Sequence, residues 1–477
     1  MKSGKWRDPD GLSEVGLLHS SVEACESRWS KGSSKQSFPA WKQSWHRRPE
    51  RMEQETKGIR QQSAKYPAVQ NLMHNVNEQT LMAKHRKQAR KKATGIDGVD
   101  KESYNEHAEE NIGTLVERMR KFQYKPQAVR RAYIPKTNGK LRPLGIPAYE
   151  DRLVQGVMAD LLNAVYEERF LDCSYGFRPK QSAHDVVHYL NQTLMTKKAN
   201  YVLEADIKGF FDNVDHDWLM KFLAHDIQDK NFLRYVKRFL IAGIMEGTEL
   251  KECDRGTPQG GLISPVLANV YLHYVLDLWF EKAVKPKLRG EAYYVRYADD
   301  FMILFQYENE AQKVLEALKQ RLAKFSLEVA EDKTRILPFG RWKGTKEDFD
   351  FLGFTFFNAK TRTGKYRVGI RTSKKKLKAK RQAAKAWLHT RLTKPVAETM
   401  QLLAAVIRGH CNYYGVNGNF HAIQSFWKYL KYSTYRMLNR RDQKGKLHYP
   451  KFLRIWNFYI QKPQLTTDIW NWKPKIA

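Results

Sequence analysis

Two apolar runs in this chain stop on aspartates, and that pairing limits the possible folds more than any other feature. NYVLEAD (200–206) ends in Asp206, while YYVRYADDFMILF (293–305) sets two apolar arms around a polar centre that holds Asp299 and Asp300. The first reads as a buried strand and the second as a hairpin. Taken alone, YADD fits a solvated turn equally well, because aspartate is at home in turns. Carboxylates among buried neighbours are costly unless a cation or a hydrogen-bond network compensates them.

The flanking pattern is α+β. AYIP and LGIP bracket Asn138-Gly139, a hairpin signal within 123–147. Residues 149–169 and WLMKFLAH read as helices. Residues 264–284 form the clearest helix, with Ser264 as cap, Pro265 in the first turn, and Leu267, Val270, Tyr271, Tyr274 and Leu278 on one face. A helix through Val314 to Phe325 and a strand through Leu327 and Val329 follow. The expected core is an antiparallel sheet backed by helices.

Charge narrows the partners. The 477 residues hold 84 Lys and Arg against 51 Asp and Glu, a net +33. Such an excess favours a polyanion, either nucleic acid or an acidic membrane. No run approaches the ~18 apolar residues of a spanning helix, and the amino terminus lacks the apolar centre of a secretory signal. Cys25, Cys173, Cys253 and Cys411 are scattered without a CxxC pair, which argues against structural zinc and disulfides and for a cytoplasmic location. Nucleic acid is the leading partner. Residues 371–477 alone carry 23 Lys or Arg and three acids, a net +20, interleaved with sixteen aromatic residues. Lys374, Lys375, Lys376, Lys378, Lys380, Arg381, Arg440 and Arg441 are candidate phosphate contacts, and Tyr or Trp could stack on unpaired bases. An ordinary helical domain with core aromatics is the plainer reading of the same pattern.

A strand-terminal Asp206 beside an Asp299–Asp300 tip is an arrangement that grips two magnesium ions for phosphoryl transfer. One ion lowers the pKa of an attacking 3′-hydroxyl and the other stabilises the leaving pyrophosphate, the metals ~3.5–4 Å apart. Magnesium takes few carboxylates and keeps water and phosphate ligands, which suits three acids at a sheet edge.

Asp206 with FFD, TPQGG (257–261) and YADD (297–300) resemble successive motifs of a reverse transcriptase palm. TGIDGVD (94–100), RRAYIPKTNGKLRPLGIP (130–147), SYGFRP (174–179), EDKT (331–334), FLGF (351–354) and RGHCNYYG (408–415) extend the likeness over residues 66–460. The version is similar to group II intron reverse transcriptases, or maturases.

The resemblance implies a right-hand polymerase with an antiparallel-sheet palm, a helical thumb and a basic C-terminal module. It makes Asp206 and Asp299 the metal ligands, Asp300 third, and adds the backbone carbonyl of Ile207. The ions would be two Mg2+, with Mn2+ as a substitute. It puts Lys136 and Arg142 over the triphosphate with Arg130 beside them, and Lys333 near the leaving phosphates. Gln259 lines the nucleotide site, Pro258 and Gly260 lie under the nascent pair, and Gly353 grips the primer end. Phe211 would exclude a 2′-hydroxyl; its plainer role is a core ring beside Phe210.

The expected divisions are an accessory or disordered extension over 1–62, the start of the fingers over 63–122, fingers and palm over 123–362, a thumb over 363–415 and a basic module over 416–477. No Cys/His cluster follows Cys411, so the expectation is a member without the zinc endonuclease. It would copy RNA from a DNA primer with dNTPs, bind intron RNA to assist splicing, and support mobility by target-primed reverse transcription. The alternatives are a domesticated relative in phage defence or DNA repair, or a splicing factor that no longer needs its polymerase.

Overall fold

A computed structural model describes residues 49–135, 141–247, 249–251, 254–257, 260–441 and 447–472, with backbone alone for 49–55 and 135. The chain forms two compact units that meet in sequence between Lys343 and Gly344.

The first unit opens with α1 (Pro49–Lys65) and α2 (Glu78–Lys87). Asn77 caps α2 by accepting from the backbone N–H groups of Gln79 and Thr80. The extension expected over 1–62 is therefore helical from Pro49. Ile59 is buried and Ser63 Oγ donates to the carbonyl of Val165 at 2.7 Å, so this helix is part of the core rather than an appendage. Residues 1–48 lie outside the described residues.

After α3 (Ala108–Arg120), strands β1 (Val129–Pro135) and β2 (Leu141–Ile146) pair antiparallel from Arg130↔Ile146 to Pro135↔Leu141. Asn138 and Gly139 fall between them, outside the described residues. The helix α4 (Tyr149–Tyr166) is buried along nearly its whole length, the centre of the unit's core, and α5 (Ala183–Thr196) follows with a Ser182 capping box. Next come β3 (Tyr201–Ala205), α6 (His216–Asp226), α7 (Lys230–Leu240), β4 (Ile244–Glu246) and β5 (Glu249–Lys251). β4 pairs parallel with β1 and closes a sheet of order β2-β1-β4-β5.

The helix predicted at 264–284 is present as α8 (Ser264–Leu272), which runs on through wider turns to Val284. Ser264 is its first residue rather than its cap; Ile263 holds that place and Pro265 sits in the first turn as expected. Strands β6 (Ala292–Tyr297) and β7 (Asp300–Phe305) form the predicted hairpin, followed by α9 (Glu308–Lys324) and β8 (Arg335–Pro338). The predicted strand at Leu327–Val329 is reduced to a single bridge, Ile207↔Val329. The resulting sheet, β6-β7-β3-β8, is antiparallel throughout.

The second unit begins with an antiparallel sheet of β9 (Asp348–Phe351), β10 (Phe354–Lys360) and β11 (Tyr366–Thr372). Among the described residues four helices complete it: α10 (Lys374–Thr390), α11 (Val396–Tyr414), α12 (Phe420–Asn439) and α13 (Tyr449–Tyr459). They share one core that includes Trp387, Leu403, Phe426 and Trp456, so no break falls near residue 415. The division lies earlier than the shift of composition near 365 because these three strands belong with the helices. Among the described residues, no helix is long and apolar enough to cross a membrane.

Candidate active site

The sheet β6-β7-β3-β8 places two acid-bearing ends side by side. β3 pairs with β7 up to Ala205↔Phe301, so Asp206 follows directly beyond the last pair, level with the start of β7. β6 and β7 close on Tyr297↔Asp300, leaving Ala298 and Asp299 as the turn. Asp206 keeps only 19% of its side chain exposed; Asp299 is half-buried and Asp300 exposed. Burial raises the Asp299 carboxyl above the usual aspartate range and the charge of Asp206 adds to the effect, while Arg142 and Lys333 oppose it. Two carboxylates, distant in sequence, therefore feel one another in a partly dry setting.

The cations are placed to answer them. Lys333 sits in a short turn, Glu331–Lys333, and its ammonium pairs with Asp206. That hydrogen bond raises the Lys333 pKa, with Asp332 and Asp300 contributing. Arg142, exposed on β2, stands near enough to act on Asp299. Arg130 is engaged elsewhere: its Nη2 and Nε donate to the Thr94 carbonyl at 2.8 and 3.1 Å, which ties the TGIDGVD turn to β1. Lys136, Pro258 and Gln259 lie outside the described residues.

Backbone geometry supplies a further oxygen. Ala330 N–H donates to Asp206 O and Lys208 N–H to Glu328 O, flanking the Ile207↔Val329 bridge. In an antiparallel pair of this kind the central residue's own N–H and C=O point away from its partner. The Ile207 carbonyl thus turns toward the β7 side, where Asp299 lies. Among the described residues, no three His, Cys, Asp or Glu side chains form a ready metal cage. Two mutually repelling carboxylates and one carbonyl still fit a hard divalent ion that draws its remaining ligands from water and substrate phosphates.

Glycines let the neighbouring loops close in. Gly260 has φ +118°, and a Cβ there would fall 2.3 Å from the carbonyl oxygen of Gly145 on β2. Thr257 N–H donates to the Phe211 carbonyl at 2.8 Å, fixing Thr257 against the FFDN turn. Phe210 is buried and Phe211 half-buried, edge-on to it at 5.2 Å, so the core role belongs chiefly to Phe210.

Residues 134–356 match the family model described as Reverse transcriptase (RNA-dependent DNA polymerase). The chain is 31% identical over 307 residues to Protein YkfC of Escherichia coli (strain K12), spanning 57% of this chain and 78% of that protein. It is 28% identical over 438 residues to group II intron-encoded protein LtrA of Lactococcus lactis subsp. cremoris, spanning 75% of this chain and 72% of that one. A stretch of 183 residues is 25% identical to Nuclear intron maturase 2, mitochondrial, of Arabidopsis thaliana, spanning 30% of this chain and 24% of that protein. The chain belongs to the group II intron reverse transcriptase and maturase family. It is an RNA-directed DNA polymerase that depends on a divalent metal, binds an RNA template and has maturase function.

In this reverse transcriptase the sequence motifs account for the acids but not for what holds them. Arg296, three residues before Asp299, is fully buried. Its Nε and Nη2 donate to the two oxygens of Asp277 at 2.7 and 2.6 Å. Nη1 donates to Asn269 Oδ1 and to the Ala298 carbonyl of the acidic turn at 2.9 and 3.0 Å, and Nη2 also reaches Ser174 Oγ at 2.7 Å. Ala298 adopts a left-handed φ of +57°. That conformation costs an L residue about 1 kcal/mol. Gly176 of SYGFRP lies so close that a Cβ would be 2.2 Å from the Ala298 nitrogen. The motif is thus a brace for the YADD turn. The signal was present in the sequence: an arginine inside the apolar run YYVRYA must be either paired or misplaced.

The other predicted residues belong to the second unit. Leu352 and Gly353, at φ +50° and +80°, make the tight turn between β9 and β10, and Tyr413 Oη donates to the Leu352 carbonyl at 2.9 Å. Lys374, Lys375, Lys376 and Lys378 are exposed on α10, and Arg440 is exposed after α12. Lys380 instead lies 5.9 Å from the ring centres of both Tyr414 and Phe426, where burial lowers its pKa to about 8. Arg381 donates to Ser425 Oγ at 2.6 Å, and Arg441 donates to the carbonyls of Leu392 and Lys394. Lys380 and Arg441 thus serve packing and loop anchoring rather than an open surface.

Proposed function

We propose that this reverse transcriptase extends a DNA primer on intron RNA with dNTPs, using Asp206, Asp299 and the Ile207 carbonyl to hold two Mg2+ ions. The observation that carries the reading is the shared field of Asp206 and Asp299 at one end of the β6-β7-β3-β8 sheet. Bound there, the ions would activate the 3′-hydroxyl and offset charge on the pyrophosphate. Asp300 lies further out and acts on Lys333. Lys333 has an ammonium free to leave Asp206 for a phosphate, and Arg142 supplies a second donor-only group. Lys136 is assigned to the same triphosphate by the motif it occupies. Gly260 closes on β2, and the motif assigns it, with Pro258 and Gln259, to the nascent pair.

In this reading β1, β2 and the helices before them are the fingers, and the acid-bearing sheet is the palm. The motif assigns the Gly353 turn to the primer end, and the helices from α10 onward would form the thumb and basic module. The exposed lysines of α10 would contact phosphates of the duplex. The protein would also support mobility by target-primed reverse transcription. Manganese would substitute for magnesium, and a cytoplasmic setting fits cysteines scattered without a CxxC pair.

Primer extension by the purified chain on matched RNA and DNA templates, with magnesium omitted in one arm, tests the reading. Extension on RNA that stops without the divalent ion is expected, and extension that survives chelation would refute it. The motif assigns Phe211 to exclusion of the 2′-hydroxyl, and its half-buried ring leaves it available for that role. Phe211→Val should therefore raise ribonucleotide incorporation by about 10–100-fold. Single-nucleotide incorporation assays read this directly, and unchanged sugar selectivity would remove Phe211 from the role.

A further inference from the structure

We propose that the C-terminal unit carries a pocket for one unpaired nucleotide of RNA, seated between α10 and α12. The proposal rests on the RNA-binding reading above and gives it a specific site. The cavity holds ≈ 240 Å³, on the scale of a single nucleobase and too small for a base pair.

Its floor is apolar. Leu388 and Met437 are core residues, and Leu392 is half-buried beside them. Tyr429 and Tyr432 make the wall; Tyr432 is 61% exposed, a large ring that the fold leaves uncovered. The rim is cationic, with Lys385, Arg436 and Arg440 all exposed and His389 next to them. Among the described residues, no acid lines the cavity. Arg381 stacks over Tyr429 at 5.3 Å and Arg436 over Tyr432 at 5.8 Å, which fixes both rings at the mouth.

This layering matches one chemistry. A base turned out of its helix offers a flat apolar face for the floor and for a tyrosine, and its two flanking phosphates would stand at the rim among the cations. A paired base offers neither its face nor that spacing. An aliphatic or aromatic protein side chain would satisfy the floor but leave the rim's charge uncompensated, in a segment that already carries a net +20. The pocket would therefore recognise a bulged or looped-out nucleotide by shape and stacking.

Titration of the full chain with two RNA hairpins, identical except for one bulged 2-aminopurine, tests the proposal. The bulged hairpin should bind about tenfold more tightly, the scale of one base stacked on an aromatic ring, with its fluorescence quenched on binding. Tyr432→Ala, at an exposed position, and Ser433→Trp, which fills the cavity from α12, should each bring the bulged hairpin to the affinity of the paired one. Equal wild-type affinities, or a preference that survives both variants, would overturn the pocket. A loss of equal size for both hairpins in Tyr432→Ala would do so too, since it would mark a general phosphate contact. If the wild-type chain bound neither hairpin, the RNA-binding reading of these helices would fail along with the pocket.

Discussion

Asp299→Asn should abolish primer extension on an RNA template, by roughly 10⁴-fold, while affinity for the template should stay within about twofold. The side chain keeps its size and loses its charge, so an active site built on carboxylates loses its grip on the cation while the surrounding packing is preserved. Asp206→Asn should act similarly, with one difference: Lys333 would lose its partner and its raised pKa. Stability should move in the opposite direction. Asp299 and Asp206 repel one another in a partly buried setting, so in metal-free buffer at neutral pH Asp299→Asn should unfold at a temperature a few degrees higher than the native protein. Thermal melts beside extension assays would separate the outcomes. Loss of activity together with a lower melting temperature would make Asp299 a structural residue.

Arg296→Met should cost about 3–5 kcal/mol, because it strands Asp277 as a fully buried charge. Burial works to raise the Asp277 carboxyl, yet the guanidinium and its hydrogen bonds hold it below the ordinary range. A depressed carboxyl stabilises the fold above the unfolded aspartate pKa, and that contribution is lost only as pH falls through the lower folded value. Acid unfolding of the native protein should show this step, and a variant without Asp277 should lack it. The double variant Arg296→Met, Asp277→Leu should recover most of the stability, since the isolated charge is gone. Activity should stay low in both, because the Ala298 carbonyl and Ser174 hydroxyl lose the donor that holds the acidic turn. Urea unfolding of the single and double variants measures the coupling. Additive losses would mean that the pair does not act as a unit.

The legible parts of the chain were those with local causes. The YADD hairpin, β3 with its terminal acid, and the helix from Ser264 each follow from apolar period and turn chemistry within about a dozen residues. Less legible was whatever depended on distant partners. The helix from Pro49 has a polar, charged sequence and owes its place to Ile59 and Ser63 meeting α4, so composition read it as an appendage. Arg130, Lys380 and Arg441 carry the right charge for phosphates, but their guanidinium or ammonium groups are taken up by carbonyls or by neighbouring rings. Nothing in their own neighbourhood of sequence distinguishes them from Lys374 or Arg440, which stand in solvent.

Motif order and spacing were therefore enough to point to the reaction and to nominate its acids, because carboxylates at strand ends have few chemical uses. The three-dimensional arrangement alone revealed that SYGFRP is a brace, that Arg296 with Asp277 anchors the turn, and which of the many cations remain available. The physical reason is range. A strand's period and a turn's glycine act over a few residues, whereas the neutralisation of a buried charge is set by whichever atom arrives within 3 Å, from any point along the chain.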